Sequence, residues 1–203
     1  PSTSSSGGFT AMLNMTAQSL SAFETLAQHL EDCLENEDQI VAIIMLEVSN
    51  LSRIDARFGR SFRNDALNEL SRRLNDSLRP IDFSIQTGDN TFAVVVPGLK
   101  NKGHATLACR KFIRVAAPET SDPERDKGAL KVRVGVALYP EHSYRSAELL
   151  QRAQLALEVA KDTQQDLVTY DTENVANVAV SWEMTISRKL FTRASFRYFS
   201  SRN

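Results

Sequence analysis

Arg79 and Asp82 stand three residues apart around Pro80. A guanidinium is a rigid planar fork, and a carboxylate accepts from an amine edge. Taken alone, such a pair reads as an exposed ion pair across a turn. Three further places hold residues fit for chemistry. Glu47 follows an apolar run and is either a strand-end residue without a ligand or a carboxylate for a hard cation. Gly88-Asp89-Asn90 separates two apolar stretches with turn-forming residues. Lys161 ends an apolar-striped segment, where a lysine is either a solvated charge or one placed to meet an anion. His29, His104 and His142 are scattered, and Cys33 and Cys109 make neither a disulfide framework nor a zinc spacing.

The elements that must carry these residues follow from periodicity. Between Phe9 and Asn36 apolar residues at Leu13, Leu20, Phe23, Ala27, Leu30 and Leu34 make a helical stripe, which on spacing alone suits a domain helix or a coiled-coil stalk. Its acidic end, from Glu31 to Asp38, reads as a solvated and frayed terminus. Ile40–Leu46 is an unbroken apolar run and predicts a central strand buried on both faces. Leu67, Leu70, Leu74 and Leu78 predict an amphipathic helix over Phe58–Leu78, stopped by Pro80. Ile81–Thr87 and Thr91–Val96 predict a hairpin, ended by Pro97-Gly98. A helix over Lys102–Ala117 and a polar loop over Pro118–Gly128 follow. Leu130–Leu138 alternates with period two, which predicts a strand with one solvated or helix-edge face. Ser146 is placed to cap a helix with Leu149, Leu150, Ala153, Leu157 and Ala160 on one face. Leu167–Tyr170 reads as a short closing strand. The order predicts an α/β (α+β) sandwich, a mixed sheet flanked by helices.

Of 203 residues, 42% are hydrophobic and 24% charged, which excludes a disordered chain. Twenty-four basic residues nearly cancel 25 acidic ones, so bulk charge favours neither nucleic acid nor a membrane surface. No apolar run reaches the roughly 20 residues of a membrane span, and the expected compartment is the cytoplasm. Residues 1–8 are Ser- and Gly-rich and read as a flexible leader outside the fold. Beyond Glu173, Val175, Ala179, Trp182, Ile186 and Leu190 share a helical face, followed by Arg193, Arg197 and Arg202. This segment, 172–203, reads as a linker helix towards a further domain rather than a nucleic-acid patch.

Four stretches in register resemble the GGDEF family of diguanylate cyclases, over about residues 9 to 171. Phe9-Thr-Ala-Met-Leu-Asn14 is similar to the family's opening segment. Glu47-Val-Ser-Asn-Leu-Ser-Arg-Ile-Asp-Ala-Arg-Phe-Gly59 is similar to its Asp-x-Asp-x-Phe-Lys-x-Ile-Asn-Asp-x-Phe-Gly-His segment. Gly88-Asp89-Asn90-Thr91-Phe92 sits where Gly-Gly-Asp-Glu-Phe belongs. Val134–Pro140, with Leu149–Lys161 behind it, resembles the last strand and helix. The resemblance implies a nucleotidyl-cyclase palm-like fold in which the Phe9–Asn36 stripe packs as the domain's first helix. It also implies a reaction in which two GTP molecules, bound in an antiparallel dimer, are joined to cyclic di-GMP with Mg²⁺ held by carboxylates.

The departures from the family's pattern fall on that chemistry. Glu47 keeps a charge one methylene further out. Asn90 and Thr91 replace the two acidic signature residues, and an amide oxygen is a weak ligand for a hard dication. Ser49 replaces the second Asp of the pair. Asp89 replaces a glycine beside the phosphates, adding like charge. Gln86 and Gln165 replace basic residues, Asp55 replaces the guanine-facing Asn, and Arg63-Asn64 replaces a Gly-Asp pair. The expectation is a domain without catalytic residues or a required metal. Glu47, Asp55 and Lys161 are the residual candidates for nucleotide or Mg²⁺ contact.

Arg79-x-x-Asp82 lies six residues before the signature, where the family carries its inhibitory cyclic di-GMP site, and Arg110 falls near an auxiliary arginine of that site. The leading expectation is therefore an inactive cyclase-like module that binds cyclic di-GMP and signals to an adjacent domain, an EAL phosphodiesterase by the family's habit. A GTP-binding regulatory module, favoured by Asp55 and Lys161 and opposed by Asp89 and Gln165, is the alternative. A residual enzyme using Glu47 alone and a ligand-free homodimerisation module complete the set.

Overall fold

A computed structural model describes residues 17–35, 39–117 and 128–171. In chain order the elements are α1 (Ala17–Leu34), β1 (Ile40–Val48), α2 (Leu51–Ser77), β2 (Phe83–Gln86), β3 (Thr91–Leu99), α3 (Lys102–Ala116), β4 (Val132–Tyr139), α4 (Ser146–Asp162) and β5 (Leu167–Thr169). The five strands form one sheet in the order β2-β3-β1-β4-β5. All pairs are antiparallel except β4 with β5. The mixed sheet flanked by helices is the expected α+β architecture. Among the described residues no helix is long and apolar enough to cross a membrane.

The apolar run of β1 is continuous because both faces of the sheet are covered. Ala42, Ile44 and Leu46 point to one core, with Leu70 and Leu74 of α2 and Cys109 and Phe112 of α3. Val41, Ile43 and Met45 point to the other, with Leu26 and Leu30 of α1 and Leu149, Ala153 and Leu157 of α4. Helix α1 thus packs against the sheet instead of forming a stalk.

Several local expectations are corrected. Of the solvated or helix-edge face expected for strand β4, the solvated alternative is excluded: its residues are buried on both sides except half-buried Arg133, since α4 lies directly across it. Helix α2 begins at Leu51, not Phe58, and breaks at Gly59, whose φ of 84° and ψ of 168° are costly for a side-chain-bearing residue. Strand β3 runs through Pro97 and Gly98 to Leu99. These two residues form a bulge opposite Val41, beyond the reach of β2, so the missing proline N–H breaks no ladder bond. Ser146 is the first residue of α4 rather than its cap; its hydroxyl donates to Glu31 Oε1 (2.9 Å), tying α4 to α1. Glu31 is therefore more than a solvated helix end. The leader, the helical start before Ala17, most of the polar loop (118–127) and the linker segment 172–203 lie outside the described residues.

Candidate functional site

The Arg79–Asp82 segment is a turn. Asp82 N–H donates to the Arg79 carbonyl (2.9 Å), with Pro80 at its second position, where its fixed φ belongs. The turn puts both side chains on one side. Arg79 Nη2 donates to Asp82 Oδ1 (2.7 Å) and to the Pro97 carbonyl (2.8 Å), and Arg79 Nε lies 3.1 Å from Oδ1. Asp82 Oδ2 also accepts from the Arg79 backbone N–H (2.8 Å). The Asp82 side chain is only 4% exposed, whereas that of Arg79 is 44% exposed. The hydrogen bond to Asp82 raises the Arg79 pKa above its ordinary value, outweighing partial burial. A buried carboxylate thus fixes the inner edge of the guanidinium, and Nη1 has no acceptor among the described residues. Arg110 is exposed on α3 and makes no hydrogen bond or ion pair among the described residues. Its neighbour Lys111 reaches the Ser77 carbonyl, so α3 lies alongside the end of α2 that precedes the turn.

The second group of candidates gathers where β1 ends. Lys161 Nζ, at the end of α4, donates to Glu47 Oε2 (3.0 Å) and lies 3.2 Å from Glu158 Oε2. Burial alone would lower the Lys161 pKa, but its hydrogen bond to Glu47 and the charge of Glu158 prevail and hold it above the usual value. Glu47 and Lys161 are 114 residues apart in sequence, and no local signal announces their pairing. The hairpin turn is fastened to the same strand end. Val48 N–H donates to the Asn90 carbonyl (2.9 Å), and Asn90 Nδ2 donates to the Val48 carbonyl (3.1 Å). Thr91 Oγ1 is 3.4 Å from Asn90 Oδ1. Behind Asn90, Gln86 Nε2 bonds the Gly88 carbonyl (2.9 Å), and Phe92 is buried in the core. At the other side of the junction Asn50, which sequence reasoning passed over, clamps the backbone of Ala129 (2.8 Å) and Lys131 (2.8 Å).

Between the start of α2 and the hairpin turn lies an open cleft of about 460 Å³, lined by Leu51, Asp55, Arg60, Arg63, Asp89 and Asn90 among others. Asp55 and Asp89 therefore share one wall system, but Glu47 and Lys161 are not in it. Arg63 Nη1 approaches Asp55 Oδ2 only to 4.0 Å, while its Nη2 and Nε donate to Asn64 Oδ1 (3.2 and 3.3 Å). Arg60 and the Asp89 carboxylate have no hydrogen bond or ion pair among the described residues. Arg60 was not legible as a site residue, because it sits in a polar stretch that looks like a solvated helix face. Among the described residues no three His, Cys, Asp or Glu side chains gather as a metal site.

Comparisons with known proteins converge on one family. The family model "Diguanylate cyclase, GGDEF domain" matches residues 18–166. The diguanylate cyclase TpbB of Pseudomonas aeruginosa is 26% identical over 136 residues, covering 67% of this chain and 31% of that protein. The cyclic di-GMP phosphodiesterase NbdA of the same species is 28% identical over 145 residues, covering 71% of this chain and 18% of its own length. The chain thus spans less than a third of these relatives. The GGDEF domain of TpbB superposes with a TM-score of 0.67 at 22% identity, over 77% of this chain and 91% of that one. The GGDEF domain of DgcB from Caulobacter crescentus, solved with cyclic di-GMP, gives 0.61 at 14% identity, over 73% and 87%. At these identities the structural likeness establishes the fold.

Proposed function

Because the chain belongs to the GGDEF diguanylate cyclase family, we propose that it is a member without cyclase activity that serves cyclic di-GMP signalling as a ligand-binding regulatory module. The observation that carries this reading is the Arg79–Asp82 unit: a 4% exposed carboxylate orienting a half-exposed guanidinium on a turn. A solvated ion pair has no need to bury its carboxylate, whereas a site for a phosphate-bearing purine dinucleotide needs a pre-aimed fork. Guanine O6 and N7 or a phosphate oxygen would meet the free Nη1 edge, and Asp82 would hold the fork in place.

Loss of catalysis is supported by what the remaining candidates already do. Mg²⁺-assisted phosphoryl transfer needs carboxylates free to face the metals. Glu47 is paired with Lys161, and the Asn90 amide is bonded to the Val48 carbonyl. These residues fit a structural junction rather than a two-metal site. By resemblance, the partner in a longer protein is an EAL-type phosphodiesterase domain, and ligand would act by favouring one packing of the segment that follows Asp171.

Isothermal titration with cyclic di-GMP tests the reading. Micromolar or tighter binding that disappears in Arg79→Ala is the expected result, with no cyclic di-GMP formed from GTP and Mg²⁺. Binding unchanged by Arg79→Ala, or product formation, would overturn it. A second reading, a GTP-binding regulatory module, is favoured by one observation, the charged cleft between α2 and the hairpin.

A further inference from the structure

We propose that His142 is a proton-operated latch: neutral, it closes the turn after β4 and holds Tyr170 where the chain leaves the sheet; protonated, it releases both. The inference goes beyond the ligand readings above and is independent of the Arg79–Asp82 turn and of the cleft.

The latch is built from two reciprocal bonds. His142 N–H donates to the Leu138 carbonyl (2.8 Å), and Leu138 N–H donates to His142 Nδ1 (2.8 Å). Both span Tyr139-Pro140-Glu141, so backbone and imidazole close the turn together. The second bond fixes the state of the ring. A backbone N–H only donates, so Nδ1 must carry a lone pair and the ring proton sits on Nε2. A proton added at Nδ1 would set donor against donor in a side chain that is only 10% exposed. The same ring reaches the exit of the chain. Its centroid lies 5.4 Å from that of Tyr170, with the ring planes at 62°. Tyr170 directly follows β5, donates its N–H to the Val136 carbonyl (2.7 Å) and takes the Arg152 guanidinium over its ring at 5.4 Å.

The surrounding charges do not favour a proton on this ring. Glu141 Oε1 lies 3.9 Å from Nε2, but Glu141 is already paired with Lys102 of α3. Arg152 of α4 adds a second cation, and Asp171, next to Tyr170, a second anion. Burial holds the His142 pKa below its usual value; Glu141 and Asp171 pull it up, while Lys102 and Arg152 push it down. A released ring titrates near its ordinary value of about 6.5. The folded value is the lower one, so the released form takes up the proton first. The closed latch is therefore fully favoured above about pH 6.5 and is lost as pH falls through the folded value, by up to about tenfold per pH unit. Its opening frees Tyr170, from which the chain continues into residues 172–203.

Hydrogen exchange read by NMR on the whole chain, without nucleotide, tests the latch. Protection of the Leu138 and Tyr170 amides, corrected for the pH dependence of free amides, should fall about threefold or more between pH 7 and pH 5. That of Ile44, in the centre of β1, should not. In His142→Asn the side-chain oxygen can accept the Leu138 N–H without titrating, so both amides should keep their protection over this range. His104→Asn, at an exposed histidine on α3, should behave as wild type. The ring ¹⁵N shifts at pH 7 should show a bare Nδ1. A protonated Nδ1 at pH 7, a smaller loss of protection, a loss shared by Ile44, or the same loss in His142→Asn would each overturn the proposal. The ring shifts and the comparison with Ile44 are made on wild type, so they decide the matter even where the variant is poorly folded.

Discussion

Among the described glycines Gly135 has the tightest surroundings, and Gly135→Ala tests how the junction at Glu47 is held. A Cβ at this position would lie 2.1 Å from Leu157 N, 2.4 Å from the Ala153 carbonyl oxygen and 2.6 Å from Leu157 Cα. These are backbone atoms of α4, so no rotamer change can clear them. Helix α4 would have to retreat by about an ångström along a close-packed face. Leu149, Ala153 and Leu157, all fully buried against the sheet, would lose contact together. Overpacking costs about 1–3 kcal/mol where side chains can adjust; here, with none able to, about 3 kcal/mol or more is expected. For a chain of this size that lowers the melting midpoint by about 6–12 °C. The retreat also draws Lys161 away from Glu47, since Lys161 rides on the same helix. Differential scanning calorimetry on wild type and Gly135→Ala reads the first effect. The Lys161 titration by NMR reads the second, as a pKa closer to the ordinary value. A midpoint within about 2 °C of wild type would refute the packing argument, because α4 would then have room that the distances deny it.

Other outcomes follow from the same geometry. Glu47→Gln should cost about 1–2 kcal/mol. Because the folded Lys161 pKa is raised above 10.5, the pair stabilises fully below that pH and its contribution is lost as pH rises through the folded value. Denaturation midpoints between pH 9 and 12 should therefore fall less steeply in the variant. Asn90→Ala should cost about 1 kcal/mol by leaving the Val48 carbonyl unpaired, with cyclic di-GMP affinity unchanged in titration. Burial pushes the Cys109 thiol up to about 12, so alkylation of the native protein at pH 8 should leave Cys109 unmodified until denaturant is added. Mass mapping of the modified cysteines checks this, and prompt labelling of Cys109 would contradict its burial.

The element order was legible because burial writes itself into periodicity. The two-faced burial of β1 shows as an unbroken apolar run, and α2 and α4 show as stripes of leucine and alanine. A turn at Pro80 was legible too, since proline fixes a local conformation, but that Arg79 and Asp82 project to the same side of it was not and is decided by the fold. Local chemistry also exposed every departure from the acidic signature.

What the sequence could not supply is everything that depends on who covers whom. The alternation in β4 left open a solvated or a helix-edge face, and only the fold, which lays α4 across Gly135, buries it. Ser146 had the chemistry of a cap, yet tertiary packing turned its hydroxyl to Glu31. Glu47 and Lys161 were separate candidates for ligand contact until the fold set them 3.0 Å apart and made them partners. Arg60 looked like part of a solvated helix face, and the fold sets it in a cleft with Asp55 and Asp89. Sequence determines which elements form and which groups they carry, because those preferences act over a few residues. Only the tertiary structure decides which charges meet, because pairing acts through space between segments that the chain keeps far apart.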